Sequence, residues 1–434
     1  MLSKSEQTFR GSLTTAKVYT LRKILKGMII GPLDKNNGEC SVVCPHLYMK
    51  AVQQAYPLEG EDYEELRPKK VTPYRKRYKK QDILKEIIDA KLPPRKQRGS
   101  EEDVLKAWHF YYKQKGWHKL TRFNTKGKLG RPYVLFKAKN VTDPTVRAKK
   151  WIKARPIAPT FAHPMHTLMH WAGRAWYYMI GNYKENHFIL KDTREVPSFL
   201  RYVQHKLGGA NLGYDILDIE GCYPNMPKEK IRQAMREIID GFEQKGHKGI
   251  YVPRRSKTKP CKFRCNDNQK YVWLSNETLI EILDFSLTQA VFVRLDGKIM
   301  RQKKGIPMGD ALSPAMTIGT CGWMEKEWMR TLSQAEKANF LAKRYMDDIL
   351  IFYKKGEGWN HEEFMRRFKK SECYLPPLKL EAGGEDVFLE TQFHINEMAT
   401  LDTDSKMSMQ WARKKYGGII ILRAMRHMYK KGAR

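Results

Sequence analysis

Lys343-Arg344-Tyr345-Met346-Asp347-Asp348-Ile349-Leu350-Ile351-Phe352 is the stretch whose reading decides the fold. Two adjacent aspartates stand between an aromatic shoulder and an apolar, β-prone run. That pattern predicts a hairpin whose turn presents both carboxylates while its strands anchor in a core. Neighbouring carboxylates repel, and burying them is costly unless cations lie between them. Oxygen ligands of this kind suit Mg2+, which keeps its waters and shares phosphate oxygens. A lone Asp-Asp pair is more often a solvated turn, so the reading depends on what accompanies it.

Three segments accompany it, in order along the chain. Asp215-Ile216-Leu217-Asp218-Ile219-Glu220-Gly221-Cys222-Tyr223 predicts a strand over Leu212–Ile219 that turns at Gly221 and supplies Asp218 as a third carboxylate. Two metals held by Asp218, Asp347 and Asp348 would clamp an in-line phosphoryl displacement. Asp215, three residues earlier, points to the opposite face of that strand, whereas Glu220 shares the face of Asp218 and stands behind the metal ligands as a supporting or solvated group. Arg301-Gln302-Lys303-Lys304-Gly305-Ile306-Pro307-Met308-Gly309-Asp310-Ala311-Leu312-Ser313-Pro314 forces a non-helical approach into a helix, so backbone can come close to a nucleotide or primer-template. Lys150-Trp151-Ile152-Lys153-Ala154-Arg155-Pro156-Ile157 places Lys153 and Arg155 on one face of an extended segment, cations suited to a triphosphate.

The 434 residues carry 81 Lys+Arg against 47 Asp+Glu, a formal net charge of +34. A fold this basic repels itself unless it meets a polyanion, and nucleic acid is the commonest one. A hydrophobic share of 41% with 11% aromatics excludes a mostly disordered chain. Arg67–Lys80 holds eight basic residues with Tyr74 and Tyr78 among them, charge for phosphates beside rings for bases. A solvated linker or a nuclear localisation signal fits that stretch equally well. Lys245–Lys270, with nine Lys/Arg against one Asp and broken by Pro253 and Pro260, reads as an inserted loop or small hairpin. Ser100-Glu101-Glu102-Asp103, followed by Val104, Leu105, Trp108, Tyr111 and Tyr112, predicts a capped amphipathic helix. Further strands are expected at Val291–Leu295, Ile349–Tyr353 and Val387–Ile395, so the class is α+β.

Met1–Arg10 shows no secretory signal, and Gly418–Leu422 is too short to span a bilayer. Seven cysteines, an odd number, point to reduced thiols in an intracellular setting, nucleus or cytoplasm alike. Cys40/Cys44 and Cys261/Cys265 are both CxxxC pairs and would make a structural Zn2+ site if the fold joined them; free thiols are the default. His163, His166 and His170 read as packing or template contacts rather than a metal set.

In combination, K-x-R-P-I, D-I-x-x-x-Y, G-x-P-x-G-x-x-x-S-P and Y-M-D-D resemble the reverse transcriptases over residues 145–400. D-I-E-G-C-Y-P-N-M-P, Q-K-K-G-I-P-M-G-D-A-L-S-P, K-R-Y-M-D-D and F-L-E-T-Q-F are most similar to the Penelope-like elements, relatives of the telomerase catalytic subunit. The resemblance implies an α+β right-hand polymerase. Residues 1–100 would form a basic N-terminal extension for nucleic-acid binding, 101–210 the fingers, and 401–434 the thumb. The palm, an antiparallel sheet with helices, would span 211–400 with a basic insertion at 245–270.

The activity so implied is RNA-directed DNA polymerisation, extending the 3′-hydroxyl of a DNA or RNA primer with dNTPs through two Mg2+ ions, with Mn2+ as a substitute. Asp218, Asp347 and Asp348 match the catalytic metal-binding aspartates, joined by the backbone carbonyl of Ile219. Tyr223 matches the aromatic residue under the sugar, whose ring clashes with a 2′-hydroxyl. Lys153 and Arg155 match fingers residues that hold the triphosphate, and Met308 and Gly309 flank the nucleotide. Gln302, Ser313, Pro314, Tyr345, Phe388 and Leu389 match primer or template contacts, Phe388-Leu389-Glu390 resembling the F-L-D run near the primer grip. Lys379 is the best-placed lysine for a general acid protonating pyrophosphate.

Met308 stands where many reverse transcriptases have Gln, so nucleotide-positioning details of the Gln type do not carry over. No endonuclease, RNase H or integrase pattern is seen, which implies a chain that copies without cutting. Its partners would be an RNA template, a primer, the RNA–DNA hybrid, dNTPs and, by analogy with telomerase, a dedicated structured RNA, with no membrane. An RNA-dependent RNA polymerase on the same palm is the alternative that Tyr223 opposes. An inactive nucleic-acid-binding scaffold is the alternative that three intact carboxylates oppose.

Deleting Arg67–Lys80 is expected to lower nucleic-acid affinity and to flatten the slope of log K against log salt. Salt-titrated binding decides this; an unchanged slope would make the stretch a linker.

Overall fold

The computed structural model describes residues 15–34, 36–58, 60–66, 101–137, 154–183, 188–207, 211–256, 258–356, 358–370, 372–383, 387–389, 391–394 and 408–411. The expectations for Arg67–Lys80, Lys153 and Glu390 lie outside these residues, as do those for the Cys40 side chain and nearly all of the thumb segment. The chain divides into two compact units, one of residues 1–57 with 132–157 and one of residues 58–131 with 158–434.

The first unit holds an antiparallel hairpin, Ile29–Leu33 with Asn36–Val43, and the helices Thr15–Ile24 and Pro45–Ala55. Proline suits the first turn of the second helix, where its missing N–H is not needed. A second antiparallel pair, Tyr133–Phe136 with Ala154–Ile157, carries Arg155, whose Nε sits 3.1 Å from the Asp34 carboxylate.

The second unit is built on a four-stranded antiparallel sheet in the order Phe340–Tyr345, Asp348–Lys355, Asn211–Ile219, Leu380–Ala382. Opposite residues in such a ladder project to the same side, so parity along the central strand assigns every side chain to a face. Leu217, Ile219, Ile349, Ile351, Phe340 and Ala342 belong to the larger core, together with residues of the helices His166–Asn182, Lys228–Glu243, Asn276–Thr288 and Ser313–Thr331. Tyr214, Ile216, Leu350 and Phe352 meet Phe199, Leu200 and Val203 of the helix Val196–Leu207 instead. Because both faces are covered, Ile349–Phe352 is a continuous apolar run with no exposed residue.

The helix Ser313–Thr331 passes through the larger core and is buried along most of its length. Gly319 allows this, since a Cβ there would press on Met235 Sδ at 3.0 Å and Ile180 Cδ1 at 3.1 Å. The helix Glu101–Gln114 has the expected acidic first turn and buries Val104, Trp108 and Tyr112. The Lys245–Lys270 stretch is a hairpin's first strand and long loop, Gly249–Pro253 pairing with Tyr271–Ser275. The strands expected at Val291–Leu295 and Ile349–Tyr353 appear as Val291–Val293 and Asp348–Lys355.

One expectation is corrected. Val387–Ile395 is not a single strand but two, Val387–Phe388 and Thr391–His394, folded against each other. The physical reason is Leu389, which takes a left-handed φ of 50° that no strand tolerates. No helix among the described residues is long and apolar enough to cross a membrane.

His163 is buried, its ring 4.5 Å from that of Trp108, and its Nδ1 accepts the Met165 N–H at 3.1 Å. Burial, with His166 adding to it, lowers its pKa from 6.5 to about 3. The unfolded chain therefore takes up a proton below pH 6.5 that the folded chain refuses. Stability is complete above that pH and falls as the pH drops toward 3, by about 1.4 kcal/mol per pH unit for this group. His163→Asn, which keeps an acceptor, is expected to flatten that part of the acid limb in urea midpoints measured against pH. Identical acid limbs would assign the loss to other groups.

Candidate active site

Tyr345 faces Asp348 across the ladder, leaving Met346-Asp347 as a two-residue turn. Such hairpins need a positive φ at the first turn position, and Met346 supplies it at 58°. A side chain there costs about 1–2 kcal/mol, so something must hold it. Arg344 does. Its buried guanidinium donates to the Met346 carbonyl at 2.8 Å and to the Ile318 carbonyl at 3.3 Å. The same group pairs with the buried Glu325 carboxylate, which also accepts the Tyr374 hydroxyl at 2.8 Å. Burial alone would lower the Arg344 pKa, but the Glu325 carboxylate beside it holds it well above its ordinary value; burial pushes the Glu325 carboxyl up, with Arg344 and the Tyr374 hydroxyl opposing that rise. Sequence reasoning missed Glu325 and Tyr374. The available signal was a glutamate inside an otherwise apolar helix face, which needs a buried cation.

On the central strand, Asp218 is the direct partner of Asp348, so the two carboxylates leave the same face. The Asp347 carbonyl accepts the Ile219 N–H at 3.0 Å, joining the turn to that strand. Asp218, Asp347 and Asp348 are all half-buried. On its other side Asp218 faces Glu381, an exposed carboxylate that a three-residue strand gave no periodicity to find. Lys379 is exposed two residues before it, its carbonyl accepting the Glu220 N–H at 2.8 Å. Asp215 turns to the opposite face and pairs with Lys369 at 3.1 Å.

Among the described residues, no group of three or more His, Cys, Asp or Glu side chains is gathered closely enough to hold a metal ion. What the register does bring to one corner of the sheet is a set of hard oxygen donors, the kind that Mg2+ or Mn2+ takes in preference to softer metals.

The Gly305–Ser313 loop is strapped residue by residue. Gly305 has φ 65°, and a Cβ there would run into the Pro224 carbonyl. The Ile306 N–H donates to the Tyr223 carbonyl at 2.9 Å. The Pro307 carbonyl takes the Ser313 hydroxyl at 2.7 Å, and the Met308 carbonyl takes the Ala158 N–H at 2.7 Å. Thr160 donates to the Gly309 carbonyl at 3.0 Å, while buried Asp310 accepts Ser286 at 2.7 Å and the Leu312 N–H at 3.0 Å. Met308 is left half-buried and Gly309 exposed on the outer side. The Tyr223 ring is half-buried against the larger core; burial first, then Cys222 and Asp347, push its hydroxyl pKa up.

Several expected strand contacts are occupied otherwise. Ser313 and Gln302 are buried, and Gln302 donates to the Lys304 carbonyl at 3.0 Å, so their side chains brace the loop. Phe388 is buried against the cluster of Leu350 and Phe352, with half-buried Leu389 and Tyr345 at its border, so Phe388 is core. Pro314 lines a cavity of about 610 Å3 with Arg174, Tyr177, Lys191, Lys259 and Ala311, and the aspartates do not line it. Among the described residues the Zn2+ alternative finds no cluster: Cys261 is buried with Sγ 3.7 Å from the Arg174 carbonyl, and Cys265 bonds to Asp267. Cys44 is exposed in the other unit. His166 contacts the Thr160 carbonyl at 3.3 Å and His170 lines the cavity, so the three histidines do different jobs.

No protein-family model and no curated protein matches the chain. Among solved structures it is similar to telomerase from Candida albicans in complex with a TWJ fragment of telomeric RNA, at 12% identity over 76% of this chain and 56% of that one, TM-score 0.45. The corresponding telomerase from Candida tropicalis is 13% identical over 75% and 52%, TM-score 0.46. A Sicinivirus 3Dpol RNA-dependent RNA polymerase is 13% identical over 58% and 48%, TM-score 0.32. The chain thus spans little more than half the length of the telomerases it matches.

Arg344→Met strands Glu325 as a buried, uncompensated charge and is expected to destabilise the fold by about 3–5 kcal/mol. Arg344→Met with Glu325→Leu should recover much of that in urea unfolding. A single mutant as stable as the parent would show that the pair does not hold this corner.

Proposed function

We propose that this chain is an RNA-directed DNA polymerase that extends a primer 3′-hydroxyl with dNTPs. One observation carries the reading: Asp218 and Asp348 face each other across a ladder, with Asp347 in the adjoining turn, at the corner of a sheet whose central strands pack a core on each face. Two Mg2+ ions, or Mn2+ in their place, would be held there by Asp218, Asp347, Asp348 and the Ile219 carbonyl, and when bound would supply charge stabilisation to an in-line phosphoryl displacement.

The chain's own groups position the reactants around that corner. The Tyr223 ring, five residues after Asp218, would lie against the sugar and exclude a 2′-hydroxyl. Met308 and Gly309, on a loop fixed at successive residues, would line the base and sugar of the incoming nucleotide. Lys379, the residue before the strand Leu380–Ala382, would deliver the proton that the leaving pyrophosphate oxygen takes up. Lys153 and Arg155 would hold the triphosphate, Arg155 kept in place by Asp34. In this reading residues 101–210 act as fingers, 211–400 as palm and 401–434 as thumb, with an RNA template and a dedicated structured RNA as partners. The Penelope-like assignment rests on sequence motifs, and the intracellular setting on the cysteine count.

The test is primer extension on an RNA template with Mg2+, dNTPs against rNTPs, with Asp347→Ala/Asp348→Ala as control. Extension with dNTPs that disappears in the double mutant is expected, and Tyr223→Ala should admit rNTPs. Extension mainly with rNTPs would move the protein to the RNA polymerases. Tight binding without extension on primed templates would favour a scaffold.

A further inference from the structure

Phe161 is the most exposed large apolar side chain among the described residues, at 76%. An exposed ring on a loose segment would mean little, but this one stands on a backbone held from two sides. On one side the Ala158 N–H and the Thr160 hydroxyl hold the carbonyls of Met308 and Gly309. On the other, the Lys128 N–H donates to the Ala162 carbonyl at 2.8 Å and the Asn124 N–H to the Pro164 carbonyl at 3.0 Å. The His163 N–H closes the turn onto the Thr160 carbonyl at 3.0 Å. The contact is close enough that a Cβ on Gly127 would lie 2.7 Å from Pro164 Cα. Residues 124–131 are fixed in turn by Glu101, which accepts the Leu129 N–H at 2.7 Å and pairs with Arg131 at 2.6 Å.

On the segment bonded to this turn through the Lys128 N–H and the Ala162 carbonyl, Lys126 and Lys128 are exposed. A preorganised aromatic face with cations on a bonded segment suits a single nucleic-acid strand, because every base has a π-face and every linkage a charge. A protein partner would instead need a wider apolar patch, and the exposed neighbours here are basic and polar. The segment carrying the ring is also linked to the candidate site through a short series of hydrogen bonds, from the Thr160 hydroxyl and the Ala158 N–H to the Gly309 and Met308 carbonyls, and from the Ile306 N–H to the Tyr223 carbonyl.

We propose that Phe161 is the platform on which the first unpaired template base stacks as the template approaches the active site, with Lys126 and Lys128 taking the adjoining phosphates. This rests on the polymerase reading, and it can be tested apart from it. The full chain is bound to two primed RNA templates, one blunt and one with a 5′ overhang carrying 2-aminopurine at the first unpaired position. Phe161→Ala should weaken overhang binding about tenfold and relieve the fluorescence quenching, leave blunt binding unchanged, and be rescued by Phe161→Trp. Unchanged overhang binding and quenching would overturn the proposal, as would an equal loss on both duplexes. No nucleotide is added, so a parent protein that stacks the base yet never extends a primer would sink the polymerase reading alone.

Discussion

The corner of the sheet that carries the aspartates depends on one buried ion pair. Arg344 lies close to the aspartate pair in sequence, but its charge is matched by Glu325, from a helix that crosses the core, and the Glu325 carboxylate in turn accepts the Tyr374 hydroxyl. Taking both ions out of water costs several kcal/mol each, and an apolar pair of the same volume would pack as well. What the apolar pair could not do is donate to the Met346 carbonyl, which stands at the residue with positive φ. The charge is therefore spent on shape: it keeps a strained turn in the one conformation that leaves Asp347 and Asp348 at the edge of the sheet.

The second constraint is the mutual fit of the Gly305–Ser313 loop with the residues after Asp218. Gly221 turns the chain with φ 54°, Tyr223 and Pro224 follow, and Gly305 comes so close that only hydrogen fits between them. Two segments far apart in sequence are thus fixed as one surface. Gly309 is exposed on it, Met308 is half-buried and the Tyr223 ring packs partly against the larger core, while Ser313, Gln302 and Asp310 are turned inward as braces.

Sequence was informative wherever a short period or an adjacency controlled the geometry. The period of two along Leu212–Ile219 separated Asp215 from Asp218, and the structure pairs them with Lys369 and Asp348 on opposite faces. Adjacency placed Asp347 in a turn. Sequence was uninformative where the partner was remote or the element too short. Glu325 and Tyr374 meet Arg344 only through tertiary packing, and Glu381 lies in a strand of three residues. The Phe388-Leu389 run looked extended because its side chains are β-prone, yet the left-handed Leu389 folds it back. For Ser313 and Gln302, the resemblance implied contact with primer or template, whereas both side chains are buried and bonded to carbonyls of the loop itself.

The pairing order has a consequence for how the chain assembles. The central strand Asn211–Ile219 meets its neighbours only when residues 348–355 and 380–382 have been made. Closing loops of that length costs conformational entropy before any contact offsets it, and an apolar strand without partners invites association with other chains. The helix Val196–Leu207 is synthesised just ahead of the strand and packs on Tyr214 and Ile216. It can cover one face of the strand while the ribosome is still far from the aspartate pair, acting as a built-in shield during synthesis.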